Sequence, residues 1–233
     1  MMNQRSAKLG ILMLDTRFPR IPGDVGNRAT WSFPVEFAIV KGASPQAIVC
    51  EDATSFTRAF VGEGQRLIRE GCTGLATTCG FLSLVRAQLA RELGVPVAAS
   101  ALEQAAQIKA LLPAERKVGV LTISKESLSD AHLNAAGVPA DTHVVGVEGT
   151  EFARSILGDL ETLNINLARV ELVAAARKLV AEAPETGAIL LECTNMVPYA
   201  AEIQSATGLP VFSIYSYLNW FHESLVPSRF AQP

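Results

Sequence analysis

The chain has 233 residues, a formal charge of −3 and 49% apolar residues. That length can bury the core of one large domain or two small lobes, and the composition is far from that of a disordered chain. The acidic balance, with a pI near 5.7, gives no electrostatic footprint for nucleic acid, and no apolar run approaches the roughly 18 residues that span a bilayer.

Leu9–Leu14 opens the chain as a buried strand. Arg5 and Lys8 precede it, but six residues closed by Asp15 are too short for a signal core. The protein therefore reads as soluble and cytoplasmic, with no membrane partner. The irregular stretch Asp15–Ser44 follows, punctuated by Pro19, Pro22, Gly23, Gly26, Pro34 and Gly42. A loop of that length is usually functional. It leaves the carboxyl end of the first strand, where open α/β sheets place their ligands. Gly23-Asp24-Val25-Gly26 lacks the spacing of a dinucleotide loop, so no nucleotide site is expected.

Further strands are predicted at Ala47–Cys50, Leu75–Thr78, Val118–Ile123, His143–Val147 and Ala188–Leu191, with short pieces at Val97–Ala98 and Val211–Phe212. Helical patterns lie between them near Thr54–Glu70, Leu82–Leu93, Leu102–Leu112, Lys125–Ala136, Ile165–Glu182, Val197–Thr207 and Tyr215–Leu225. Near-continuous hydrophobicity in the strands is what parallel strands covered on both faces require. The alternation of strand and helix makes the fold α/β. The Pro227–Pro233 tail reads as loosely held.

The chain also repeats itself. Gly74-Leu75-Ala76-Thr77-Thr78-Cys79 aligns with Ala188-Ile189-Leu190-Leu191-Glu192-Cys193, and Gly94, Pro96 and Val97 then fall on Gly208, Pro210 and Val211, all at an offset of 114. Upstream, Lys8-Leu9-Gly10-Ile11-Leu12 resembles Lys117-Val118-Gly119-Val120-Leu121 at an offset of 109. The chain thus reads as two similar lobes with parallel sheets, related by internal duplication. Lobe 1 covers residues 1–99 and is completed by 213–233; lobe 2 covers 100–212. Each copy ends a strand with cysteine just before a helix. If the copies face each other, the two thiols meet at one site between the lobes.

Four cysteines are too few for a disulfide scaffold and should be thiols in a reducing cytosol. There is no C-x-x-C, and the three histidines share no metal-ligand spacing, so no metal is expected. Helix-start N–H groups at Cys79 and Cys193 favour thiolate over thiol. Cys50 and Cys72, without counterparts in the other half, read as inert.

Thr78-Cys79 and Glu192-Cys193-Thr194, in a duplicated α/β chain opening with strand–Asp15-Thr16, resemble the aspartate/glutamate/hydantoin racemase superfamily. That superfamily also contains maleate isomerases and arylmalonate decarboxylases. The resemblance implies two flavodoxin-like lobes, a homodimer, and a cofactor-independent racemase or epimerase of a small carboxylate or hydantoin-type substrate. It makes Cys79 and Cys193 the base and acid, with Asp15 assisting the nearby thiol. Thr16, Thr78, Gly80, Thr122, Ser124, Thr194 and Asn195 become the substrate-binding set. Physically, hydroxyls and helix-start N–H groups can hold a carboxylate and its enediolate.

Three departures mark this chain. Gly80-Phe81 stands where amino-acid racemases carry Asn-Thr, removing groups that would meet an α-ammonium. Asn195 stands where glutamate racemases often carry His. Glu192 adjoins Cys193 on a strand and so should point to the opposite face, which favours a structural or salt-bridging role over that of a second general base. Arg17, Arg20 and Arg28 read as solvated loop charges, with pairing to a second carboxylate as the alternative. A maleate-type cis–trans isomerase and an arylmalonate-type decarboxylase are the nearest competing activities. A two-lobe binding protein would use the same cleft without chemistry.

Overall fold

The computed structural model describes residues 8–228. The first lobe runs β1 (Lys8–Leu14), β2 (Val35–Val40), α1 (Thr57–Arg69), β3 (Cys72–Thr77), α2 (Arg86–Leu93) and β4 (Val97–Ala98), and α3 (Ala105–Leu111) then packs on the second sheet. The second runs β5 (Lys117–Thr122), α4 (Asp130–Ala135), β6 (His143–Gly146), α5 (Glu151–Leu157), α6 (Ile165–Glu182), β7 (Thr186–Leu191), α7 (Ala200–Thr207) and β8 (Val211–Phe212). Helix α8 (Ile214–Leu225) follows.

Among the described residues the strands form two four-stranded parallel sheets, ordered β2-β1-β3-β4 and β6-β5-β7-β8. This is the flavodoxin-like order in both. Strands β1, β3, β5 and β7 are buried almost throughout, as their unbroken apolar runs require. The register repeats with the sequence. Ile11 pairs with Ala76 where Val120 pairs with Leu190, and Leu75 pairs with Val97 where Ile189 pairs with Val211. Helices α2 and α7 both end on a left-handed glycine, Gly94 at φ 67° and Gly208 at φ 69°. Only glycine adopts that conformation without strain, which is why the two glycines occupy matching places in the repeat. Helix α8 lies back across the first lobe, its Phe221 and Leu225 filling the space beside Gly74 on β3.

Several sequence expectations are corrected. Ala47–Cys50 is not a strand but part of a π-helical turn, Ala47–Asp52. The second strand lies inside the supposed loop at Val35–Val40, half-exposed along its length. Its contacts are one-sided because it sits at the sheet edge, so its apolar pattern is diluted by Glu36 and an exposed Ile39. The helix expected at Lys125–Ala136 is confined to Asp130–Ala135, because Ser129 stays extended. Helix α5 had no counterpart in the prediction. Four predicted helices begin as 3₁₀ turns, at Ala53–Phe56, Gly80–Val85, Ala101–Gln104 and Thr194–Tyr199. Residues 229–233 of the expected loose tail lie outside the described residues. No helix among the described residues is long and apolar enough to cross a membrane. No group of three or more His, Cys, Asp or Glu residues among them is placed to hold a metal ion.

Candidate active site

The two matched cysteines come together. Cys79 follows β3 and Cys193 follows β7, each extended and each leading into a 3₁₀ turn. Both line one pocket, with Leu14, Phe18, Arg20, Val49, Thr78, Gly80 and Phe81 from the first lobe and Ile123, Ile156, Leu157, Glu192, Thr194 and Asn195 from the second. Backbone N–H groups of Phe81 and Leu82 point at the Cys79 sulfur, and that of Asn195 at Cys193. They favour thiolate, as expected of a helix start, but burial outweighs them. Burial and then the neighbouring Glu192 charge push Cys79 up to about 12 and hold Cys193 well above the ordinary thiol range. Both are therefore protonated at neutral pH in the empty pocket, opposite to the expectation of thiolates.

Glu192 is the group the sequence misplaced. Strand β7 ends at Leu191, so the alternation of strand faces no longer applies to its neighbour. The carboxylate turns into the pocket and is 1% exposed. Thr122 Oγ1 donates to its Oε2 at 2.8 Å, and the Ile123 N–H points to the same oxygen. Burial nevertheless raises Glu192 to about 7, these two donors offsetting only part of the rise. Gly80 makes room for it. A Cβ on Gly80 would lie 2.7 Å from the Glu192 carbonyl oxygen and would meet the carboxylate as well.

The loop after β1 supplies the other charges. Arg20 lines the pocket with its side chain only 10% exposed, and its Nη1 donates to Asp24 Oδ1 at 2.8 Å. Nη2 donates to Thr16 Oγ1 at 3.1 Å, while the buried Nε has no partner. The guanidinium lies 4.8 Å from the Phe18 ring centroid, within cation–π range. Asp24 also accepts from the Asn195 side-chain amide, and the Asn195 oxygen accepts from the Cys193 thiol at 3.5 Å. A continuous hydrogen-bonded chain thus runs from Cys193 through Asn195 and Asp24 to Arg20. Arg17 and Arg28 are exposed, as read for loop charges. Nothing in the sequence separated Arg20 from them: Asp24 lies four residues from Arg20 and from Arg28 alike.

The remaining predicted residues divide. Thr78 and Thr194 line the pocket, but Thr78 Oγ1 accepts from the Leu14 N–H and Thr194 Oγ1 donates to the Thr78 carbonyl. Thr16, Thr122 and Ser124 are not among the lining residues; they serve Arg20, Glu192 and Ser127 respectively. Asp15 turns away. Its carboxylate accepts from the Gly42 N–H and from Lys41, and the Gly42 bond lowers its pKa. Placed there it has no route to Cys79.

The pocket is narrow. The space open to the centre of a water-sized molecule is ≈ 20 Å³, about that of one water. Asp159, in the turn after α5, fastens it from the second lobe. Its carboxylate accepts from the Arg17 and Phe18 N–H groups at 2.6 and 3.2 Å and from Arg17 Nε at 3.2 Å. Asp159 does this at φ 49°, a left-handed conformation unusual for a residue with a side chain.

With two flavodoxin-like sheets and a thiol from each at their shared pocket, the match of residues 35–217 to the Asp/Glu/Hydantoin racemase family model is decisive. The chain belongs to the Asp/Glu/hydantoin racemase family. Among curated relatives of this family member, dimethylsulfoniopropionate lyase of Durusdinium sp. clade D is 26% identical over 96% of the chain and 77% of its own length. Dimethylsulfoniopropionate lyase 5 of Emiliania huxleyi (strain CCMP1516) is 27% identical over 93% of the chain. The chain spans only 45% of that relative. Among solved structures, allantoin racemase from Klebsiella pneumoniae superposes with a TM-score of 0.70 at 16% identity, covering 98% of this chain and 96% of that one. Arylmalonate decarboxylase gives 0.61 at 16%, covering 97% and 96%. At those identities the two structures establish the family fold alone.

Proposed function

We propose that the chain is a cofactor-independent enzyme that moves a proton at the carbon beside the carboxylate of a small acid, with Cys79 and Cys193 as its acid–base pair. The observation that carries this reading is the meeting of two thiols, one from each lobe, with a buried carboxylate in a single pocket. A protonated thiol is no base by itself. Glu192, poised at about 7, can take its proton, and that transfer leaves a thiolate and a neutral acid without adding net charge to the pocket. The thiolate then removes the α-proton, and the C–H electron pair spreads into the substrate carboxylate as an enediolate. With family membership we carry a homodimeric, cytoplasmic enzyme into the proposal.

Two fates of that intermediate are supported. In the first, the electron pair forms a Cα–Cβ double bond and expels a β-substituent. The lyase names of the curated relatives support this fate. So does Gly80-Phe81, because a substrate such as dimethylsulfoniopropionate has no α-ammonium to hold. Its cleavage would break the Cβ–S bond and give dimethyl sulfide and acrylate, with the α-proton left on the thiol. In the second fate the opposite thiol returns a proton, giving racemisation or epimerisation. The matched positions of Cys79 and Cys193 support that one.

Incubation in D₂O with dimethylsulfoniopropionate, amino acids, hydantoins, malonates and maleate, followed by proton NMR, tests the reading. Acrylate formation assigns the lyase fate, and deuterium at an inverted α-carbon assigns the racemase fate. No exchange and no elimination across the panel would overturn both.

A further inference from the structure

We infer that Arg20 is the carboxylate anchor of this pocket and that it restricts the substrate to a monocarboxylate; the inference rests on the reading that the pocket takes a small acid. Arg20 is the one cation among the described side chains that line the pocket, and the other polar groups around it are partly committed elsewhere or, in Glu192, acidic. Thr194 donates to the Thr78 carbonyl, Asn195 donates to Asp24, and Glu192 is acidic. Thr78 Oγ1 accepts from the Leu14 N–H, and its own O–H, like the second N–H of the Asn195 amide, is a donor without charge. The helix-start N–H groups expected to hold the substrate point at the two sulfurs. Arg20 is the exception. A guanidinium has five N–H donors, and Arg20 uses one on Asp24 and one on Thr16. The Asp24 contact is through a single nitrogen, so the ion pair is not the two-pronged kind that saturates an arginine. Nε is buried with no acceptor, and an unmade bond there is costly. A carboxylate supplies the missing acceptor.

The rest of the pocket sets the limit of one. Leu14, Phe18, Val49, Phe81, Ile123, Ile156 and Leu157 give it apolar walls. A second carboxylate would meet those walls or the like charge of Glu192. Maleates, malonates, aspartate and glutamate are therefore poor ligands, while an acid with an apolar or cationic tail fits. Asp24 and Thr16 are positioning residues that hold the guanidinium against Phe18.

Calorimetric binding of acrylate, propionate and phenylacetate, beside their amides and beside malonate and maleate, tests this in the wild type, Arg20→Lys, Arg20→Gln and Arg20→Gln/Asp24→Asn. The double variant removes both buried charges and keeps the fold testable if Arg20→Gln leaves Asp24 unpaired. The wild type should bind the monocarboxylates and neither the amides nor the diacids. Arg20→Gln and the double variant should lose at least ~30-fold in affinity, in line with a charge-assisted pair, and Arg20→Lys should lose less. Monocarboxylate binding retained in a folded double variant, equal binding of amides, or preference for a diacid would overturn the inference. The D₂O exchange of the wild type is read separately. Exchange with unchanged binding in the Arg20 variants sinks the anchor and leaves the function; Arg20-dependent binding without exchange or elimination does the reverse.

Discussion

The two lobes share strand order, register and helix caps, yet they differ at the residue before each thiol. In the first lobe that residue is Thr78, whose hydroxyl oxygen accepts from the Leu14 N–H and so closes the end of β1. In the second it is Glu192, which draws a hydrogen bond from Thr122 at the end of β5 and turns its charge into the pocket. The residue after the thiol differs in step: Gly80 has no side chain, and Thr194 reaches across to the Thr78 carbonyl. The loop after the first strand differs too, carrying Phe18, Arg20 and Asp24 in the first lobe only. Duplication supplies the scaffold and the thiols; what was changed after it supplies the proton acceptor and the cation.

Removing each thiol in turn is the strongest way to break this comparison. In the racemase fate Cys79→Ser and Cys193→Ser should each lower turnover by about 10³-fold or more, because a hydroxyl is a poor base and acid at neutral pH. In the lyase fate only the variant at the thiol that takes the α-proton should do so. With a chiral substrate, residual α-exchange should survive for opposite enantiomers in the two variants. Equal residual exchange of both enantiomers by both variants would show that the thiols do not stand on opposite faces.

Titration separates the lobes next. Glu192 sits at about 7 in the folded chain against 4.5 for an ordinary glutamate. The folded chain therefore holds this proton more tightly than the unfolded one. Its contribution to stability is complete below pH 4.5 and is lost as pH rises through 7, by roughly 3 kcal/mol in total. Glu103, largely buried beside Tyr217 and also raised to about 7 by that burial, adds a loss of the same sign. Urea unfolding at pH 5 and pH 8 should show a smaller fall for Glu192→Gln than for the wild type, with the Glu103 part remaining. An unchanged fall would place Glu192 in contact with solvent.

Gly80→Ala tests the partnership across the cleft. Its methyl would collide with the backbone and carboxylate of Glu192, so a loss of about 1–3 kcal/mol is expected, together with slower turnover. Gly74→Ala, which meets only the movable ends of Leu225 and Phe221, should leave turnover nearly intact. Equal effects of the two on turnover would remove the special status of the Gly80–Glu192 contact. The smallest effect belongs to the latch. Asp159→Ala should lower stability by about 1 kcal/mol and change KM more than turnover, whereas Asp159→Asn should keep the bonds from the Arg17 and Phe18 N–H groups. Wild-type KM in Asp159→Ala would make the contact a passive one.

Much of this was legible because duplication writes the same structural demand twice. The offsets of 114 and 109 in the sequence return as matching registers, and α6 was read at its true limits because its apolar spacing and Pro184 are local signals. Strand β2 was hidden because its apolar run, residues 37–40, is short and preceded by Glu36, and the prolines and glycines around it read as loop. Asp15 was placed by resemblance, while its partners Lys41 and Gly42 are distant in sequence. Arg20 was set among solvated charges because nothing local reveals that Asp24, Thr16 and Phe18 enclose it. Glu192 was lost to a one-residue error in where strand alternation stops.

One feature of the thiols reaches beyond the reaction. With Cys79 at about 12, only about one molecule in 10⁵ carries its thiolate at neutral pH. Peroxides and alkylating drugs attack thiolates, so the resting enzyme is armoured against both, and Cys50 on the surface is the thiol such reagents reach. Under the proposed mechanism, an electrophile aimed at Cys79 reacts only once Glu192 has taken the thiol proton.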